Sequence, residues 1–246
     1  MSKNVSSETA ARKRKLPSWL IAGYQNDEAN PRSFACLQKQ QEAKLPFLKF
    51  PGNIIYSHNE SDCNSLCENI RQEVERLPEA RPAGVDIEWP VSYNRGQQDK
   101  TAVLQICTSL DTCFVFHLSC MQGLSTELRK LLDCDKLIKV GLGIHGDLWK
   151  LERDFDLSAK RIIESSTTDL TTFANTVLNS AENWSLDRLS QHVLKRRLVK
   201  DSDVRMSDWR GFPLSSTQLS YAAIDAYASL LIYLELQKME KSNGSH

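Results

Sequence analysis

The chain has 246 residues, 41% hydrophobic and 25% charged, the make-up of an ordinary globular protein rather than a disordered or fibrous one. Its 31 basic and 31 acidic residues cancel, so no overall cationic field draws in a polyanion, and any nucleic-acid contact must rest on local clusters or bound metal. No uninterrupted apolar run approaches the roughly 20 residues of a membrane span, and seven cysteines without a CxxC pair or a signal peptide fit a reducing compartment.

Residues 1–44 read as a polar, largely disordered arm carrying the basic run Arg12, Lys13, Arg14 and Lys15, a pattern that fits nuclear import or phosphate contact. Order is expected from Leu45 to about residue 238, followed by a short tail over 239–246. Leu45, Phe47, Leu48, Phe50, Ile54, Ile55 and Tyr56 supply strand-like material around a Pro51-Gly52 turn. Ser61 or Asp62 then caps a helix through Leu66, Ile70, Val74 and Leu77 that Pro78 stops. Cys63 and Cys67 share a face of that helix and, with no His or Cys partner nearby, read as buried thiols.

Three runs rich in β-branched and aromatic residues follow, at Gly84–Trp89, Thr101–Thr108 and Cys113–Leu118. A helix with Leu124, Leu128, Leu131 and Leu132 leads to a buried strand at Leu137–Gly141. Gly141, Gly143 and Gly146 break the chain before a helix with Leu148, Leu151 and Phe155, and Arg161–Ile163 reads as a further strand. Helices are expected over about Asp169–Leu178, Leu186–Leu194 and Thr217–Leu236. Consecutive strands followed by strand-helix alternation predict an α/β domain with a mixed sheet covered by helices.

Chemistry concentrates in three places. Asp86 and Glu88 stand two residues apart in an apolar strand, so the twofold strand period aims both carboxylates at one face. Such a pair is either a solvated face or a site for hard divalent cations. Asp147 begins a helix after a buried strand, a position equally natural for a capping acid; His145 beside it reads as a local hydrogen-bonding group. Tyr221 and Asp225, spaced i and i+4, share a face of the last helix, where Ala222, Ala223, Ala226 and Ala228 permit close packing. Each element alone also has a purely structural reading.

Together, and in this order, they resemble the DEDD exonucleases, in the subclass with a tyrosine four residues before the last aspartate. The stretches Asp86-Ile87-Glu88-Trp89-Pro90, Tyr93-Asn94-Arg95-Gly96, Gly146-Asp147-Leu148-Trp149-Lys150-Leu151, Arg153-Asp154-Phe155-Asp156 and Tyr221-Ala222-Ala223-Ile224-Asp225-Ala226-Tyr227-Ala228 look most like Werner-type exonuclease domains, although His145 and Leu148 depart from that pattern. The resemblance implies an RNase H-like fold and 3′-to-5′ removal of 5′-mononucleotides from DNA, with two divalent ions, Mg²⁺ or Mn²⁺, about 3.5–4 Å apart. It further implies that Asp86 bridges both ions, that Glu88 and Asp225 complete one site, that Asp147 holds the second ion through water, and that Tyr221 orients the attacking water.

Implied partners are DNA 3′ ends, with RNA as the alternative substrate, and DNA-repair proteins in the nucleus; neither a nucleotide cofactor nor a membrane is expected. With no GxxxxGKS/T loop in the sequence, the chain reads as a stand-alone enzyme or a piece of a helicase-nuclease. Trp149, Arg153, Lys195, Arg196 and Arg197 are candidate nucleic-acid contacts, by stacking or phosphate pairing. Trp89 reads as core. The alternative from another class is a catalytically silent DNA-binding or repair-protein-binding module.

Overall fold

The computed structural model describes residues 44–91, 99–121 and 123–243. The basic run at Arg12–Lys15 and the Tyr93–Gly96 stretch lie outside the described residues. The unit beginning at Leu45 holds one six-stranded sheet: β1 (Asn53–Ser57), β2 (Arg81–Glu88), β3 (Val103–Cys107), β4 (Thr112–His117), β5 (Leu137–Gly141) and β6 (Thr167–Asp169). Its spatial order is β1-β4-β3-β2-β5-β6. Adjacent strands β2, β3 and β4 form an antiparallel meander, as consecutive strands do, whereas β1, β5 and β6 join in parallel through intervening chain.

Helices cover both faces: α1 (Glu60–Arg76), α2 (Thr126–Leu132), α3 (Ile144–Phe155), α4 (Ala159–Ser166), α5 (Leu170–Val177), α6 (Leu186–Leu189), α7 (Ser202–Arg205) and α8 (Ser216–Asn243). A π turn at Ser190–Leu194 continues α6. Strand alternation divides the core. Val85, Ile87, Leu104, Ile106, Phe114 and Phe116 point to one face, where they pack on α1, α2 and α3 through Val74, Leu131, Leu148 and their neighbours. Val103, Cys107, Cys113 and Val115 point to the other, under α8, against Ala222, Ala223, Ala226 and Leu230.

By length and composition α8 is long and apolar enough to cross a bilayer, although no unbroken apolar run stands out in its sequence. Its packing on β1–β5 accounts for that apolarity. The segment Arg161–Ile163, expected as a strand, lies inside α4. Ala159, Ile162 and Ser166 are buried at helical spacing, and the edge strand comes instead from Thr167–Asp169. The glycine break also falls earlier than expected: Gly143, at φ 73°, is the N-cap, and α3 starts at Ile144. Cys63 and Cys67 are fully buried with their sulfurs 4.0 Å apart, and Cys63 also meets the Ser125 hydroxyl at 3.3 Å.

Candidate active site

β2 delivers Asp86 and Glu88 from alternate positions to the face that carries α8, and α8 delivers Asp225 back onto them. One carboxylate oxygen from each of the three lies within 4.8 Å of the other two. What permits this approach is Gly84, on the same face as Asp86 and Glu88, which leaves the α8 backbone room to descend at Ala226. One turn before Asp225, the half-buried Tyr221 hydrogen-bonds to its carboxylate and packs against Trp209, ring centroids 6.2 Å apart.

Asp147 stands outside this tight group, in the first turn of α3, yet its charge reaches Asp86. The N-cap of α3 is Gly143, so Asp147 does not serve as the cap.

Electrostatics show a cluster under strain from its own charge. Burial first, then repulsion from Asp147, pushes Asp86 up to about 8. Burial followed by Asp86 and Asp225 pushes Glu88 up to about 10. Asp225 rises to about 8 through burial and Asp86, against the opposing Tyr221 hydrogen bond, and Asp147 rises to about 7 through burial and Asp169. Half-buried oxygen-only donors with surplus negative charge match hard divalent cations such as Mg²⁺ or Mn²⁺, which relieve the repulsion and accept carboxylate ligands. The residues present therefore fit such ions.

Two side chains that the sequence reading passed over belong to this neighbourhood. Arg205, on α7, lowers the proton affinity of Asp86, Glu88 and Asp225. Asp169 caps α5 by accepting from the Thr171 and Thr172 amides at 3.0 and 3.2 Å, and its other oxygen accepts from the Gly143 amide at 2.8 Å. It thereby ties down the loop that starts α3. An acid directly before a Leu-Thr-Thr helix start was a readable capping signal; Arg205, on a four-residue helix, offered none.

The remaining candidates are scattered. Trp149 is 40% exposed, and Arg153 is exposed further along α3. Lys195 adopts φ 54° at the end of the π turn and donates to the His192 carbonyl, while Arg196 donates to the Lys195 carbonyl. Arg197 sits 4.9 Å over the Phe47 ring. None of these five joins the carboxylate cluster. Trp89 packs against the main core with the Lys150 ammonium 4.9 Å from its ring. A cavity of about 110 Å³ adjoins Tyr221 and Asp225, lined also by Val204, Thr217 and Ser220. A larger, shallow depression of about 500 Å³ over Glu152, Arg161 and Glu164 contains none of the acids.

The family model described as 3′-5′ exonuclease matches residues 56–241, most of the chain and all of the site. This chain belongs to the 3′-5′ exonuclease family. Within it, the chain is 43% identical over 230 residues to the bifunctional 3′-5′ exonuclease/ATP-dependent helicase WRN of Mus musculus, covering 93% of this chain and 16% of that protein. It is 37% identical over 207 residues to a 3′-5′ exonuclease of Drosophila erecta, covering 83% of this chain and 58% of the relative. The chain thus spans only part of the curated relatives it matches.

Solved structures agree on the fold. The exonuclease domain of Aedes aegypti Nibbler superposes with a TM-score of 0.65 at 17% identity, covering 80% of this chain and 94% of that one. Escherichia coli RNase D gives 0.61 at 18% identity, covering 78% and 46%. The RNase H-like α/β architecture expected of a DEDD exonuclease is therefore present, and the chain is an enzyme of a family that works with divalent metal ions.

Proposed function

We propose that this exonuclease removes 5′-mononucleotides from DNA 3′ ends in the nucleus, in repair or replication, with Asp86, Glu88, Asp147 and Asp225 as metal ligands and Tyr221 orienting the attacking water. The observation that carries this reading is the convergence of three carboxylate oxygens, from two positions on β2 and one on α8, within 4.8 Å. Divalent ions, Mg²⁺ or Mn²⁺, held there would supply water activation near neutral pH and stabilise charge on the phosphoryl oxygens.

The protein's own groups do the positioning. Asp86 and Glu88 are fixed by strand geometry, and Asp225 is fixed by α8 and by its bond to Tyr221. Burial and the neighbouring carboxylates push the Tyr221 phenol up, so its hydroxyl stays protonated at working pH and acts by hydrogen bonding, not as a base. Asp147, from the first turn of α3, would help to hold a second ion. The cavity beside Tyr221 and Asp225 offers room next to the reacting group.

DNA is favoured over RNA by the Werner-type motifs and by 43% identity with a protein that joins its exonuclease to an ATP-dependent helicase. Nuclear placement rests on the basic run Arg12–Lys15. Trp149, Arg153, Lys195, Arg196 and Arg197 are proposed to hold the strand by stacking and phosphate contact, and repair proteins are proposed partners.

The test pairs 3′-recessed DNA with a matched RNA, with Mg²⁺, with Mn²⁺ and with EDTA, for the parent and for Asp86→Ala. The reading expects nucleotide release from DNA with metal only, and none from the variant. Faster release from RNA would overturn the substrate assignment, and full activity in a folded Asp86→Ala protein would overturn the site.

A further inference from the structure

Gln105 is completely buried in the centre of β3, and neither its amide nitrogen nor its amide oxygen has a hydrogen-bond partner among the described residues. Its position is specific. In the antiparallel ladder between β2 and β3, Gln105 stands directly opposite Asp86. Directly paired residues leave the sheet on the same face with Cβ atoms roughly 4.5–5.5 Å apart, so the amide lies on the face where the carboxylates gather.

The residues that flank it most directly on its own strand and on β4 are apolar, with Glu88 and His117 at the diagonal positions. Val103 and Cys107 flank Gln105 on the same face of its own strand, and Val115 stands opposite on β4. Ala222, Ala223 and Ala226 of α8 close the space above. A leucine would satisfy all these neighbours, whereas an amide enclosed by them loses its hydrogen bonds to water and regains none. Asp86 is the one polar side chain paired with it across the strands.

We propose that Gln105 is a positioning residue for the nuclease site: its side-chain N–H donates to the Asp86 carboxylate and holds it in the one orientation that serves as a metal ligand. Rotation about the glutamine's own side-chain bonds supplies the needed movement, and a carboxylate has lone pairs to spare beyond those used in ligation. Partners of this kind, one step behind the ligands, set ligand orientation and basicity. The inference rests on the proposal that Asp86 is a ligand.

Gln105→Leu and Gln105→Met remove the amide and keep the bulk. For each, Mn²⁺ binding is titrated by electron paramagnetic resonance without nucleic acid, melting is measured in EDTA, and kcat and KM are measured on 3′-recessed DNA. Melting in EDTA should change little, because the lost bond to Asp86 is offset by removal of the amide's buried, unpartnered oxygen. Mn²⁺ affinity should fall on the order of 10–100-fold, and kcat should fall with it while KM for DNA stays within about threefold.

An amide that merely packs would hold or raise melting and leave Mn²⁺ affinity alone, which overturns the inference, as does parental behaviour in every assay. Should Gln105→Leu fail to fold, the unbranched methionine variant decides by the same readings. Asp86→Ala separates the two proposals. If it keeps Mn²⁺ binding and activity, the site assignment itself fails; if it loses both while Gln105→Met behaves as the parent, only the role of Gln105 fails.

Discussion

Gly84 lies so close to Ala226 that a Cβ built on the glycine would fall 1.9 Å from the Ala226 carbonyl oxygen. This approach sets the spacing between β2 and α8, and with it the gap between Asp86 and Asp225, the next residue before Ala226. A strand carrying acids and a helix carrying an acid can share an ion only if their backbones come this near.

Gly84→Ala should therefore separate strand from helix and cost about 1–3 kcal/mol by overpacking, read as a lower midpoint in urea denaturation. Mn²⁺ affinity and nucleotide release should fall as well, since Asp225 moves with the helix. A variant with parental stability and metal affinity would show that the contact relaxes without moving the carboxylates.

Much of this arrangement was legible in the sequence because regular periods carry it. Asp86 and Glu88 follow the strand alternation, and Tyr221 and Asp225 follow the helical repeat, so a shared face could be read for each pair. The meeting of β2 with α8 could not, because it depends on chain contacts far apart in sequence; only the family resemblance supplied it. Arg161–Ile163 misled because a short apolar run has no period of its own, and the burial of Ala159 and Ser166 that marks α4 appears only in the fold. Gln105 carried no sequence signal. Its significance lies in its register with Asp86 and in what surrounds it.

Lys150 fastens α3 to the ends of β2 and β3. Its ammonium bonds Asp154 at 2.9 Å and the Asp99 carbonyl at 2.7 Å and lies over Trp89, while Asp154 accepts from the Thr101 amide and hydroxyl at 2.7 and 2.8 Å. Burial by itself raises the Asp154 carboxyl, but the bonds from Lys150 and Thr101 outweigh it and hold the group below the usual carboxylate range. Lys150→Met leaves the part-buried Asp154 carboxylate with only its bonds from Thr101 and should destabilise the protein by up to about 3 kcal/mol. The double variant Lys150→Met/Asp154→Leu should recover part of that loss in urea titrations. Equal losses for single and double variants would show that the pair is not energetically coupled.

Lys139, fully buried on β5, donates to the Cys134 carbonyl at 3.1 Å and to the Ser166 hydroxyl at 2.5 Å. Burial lowers its pKa from 10.5 to about 8 in spite of nearby Cys134, Asp135 and Asp133. Between those values the unfolded chain binds the proton that the folded chain has released, so this group adds stability as pH rises from about 8 to about 10.5. Below about 8 both states are protonated and the cost of burying the ammonium is borne in full. The parent should therefore gain up to about 3 kcal/mol relative to Lys139→Met across that window. Urea titrations of both proteins at several pH values from 7 to about 10.5 test this, and parallel stability curves would contradict it.

Tyr221→Phe isolates one hydroxyl. The ring remains packed on Trp209, so melting in EDTA should change little. What goes is the hydrogen bond to Asp225 and the group placed to orient water. The expected result is a fall in kcat of about 10²-fold, with KM for DNA and Mn²⁺ affinity nearly unchanged. The pH profile should also keep its shape, because burial and the neighbouring acids push the phenol up and out of the working range. A variant whose kcat holds but whose Mn²⁺ affinity collapses would mean that the hydroxyl serves Asp225 rather than the reacting water. A profile that shifts with the substitution would mean that Tyr221 titrates during turnover.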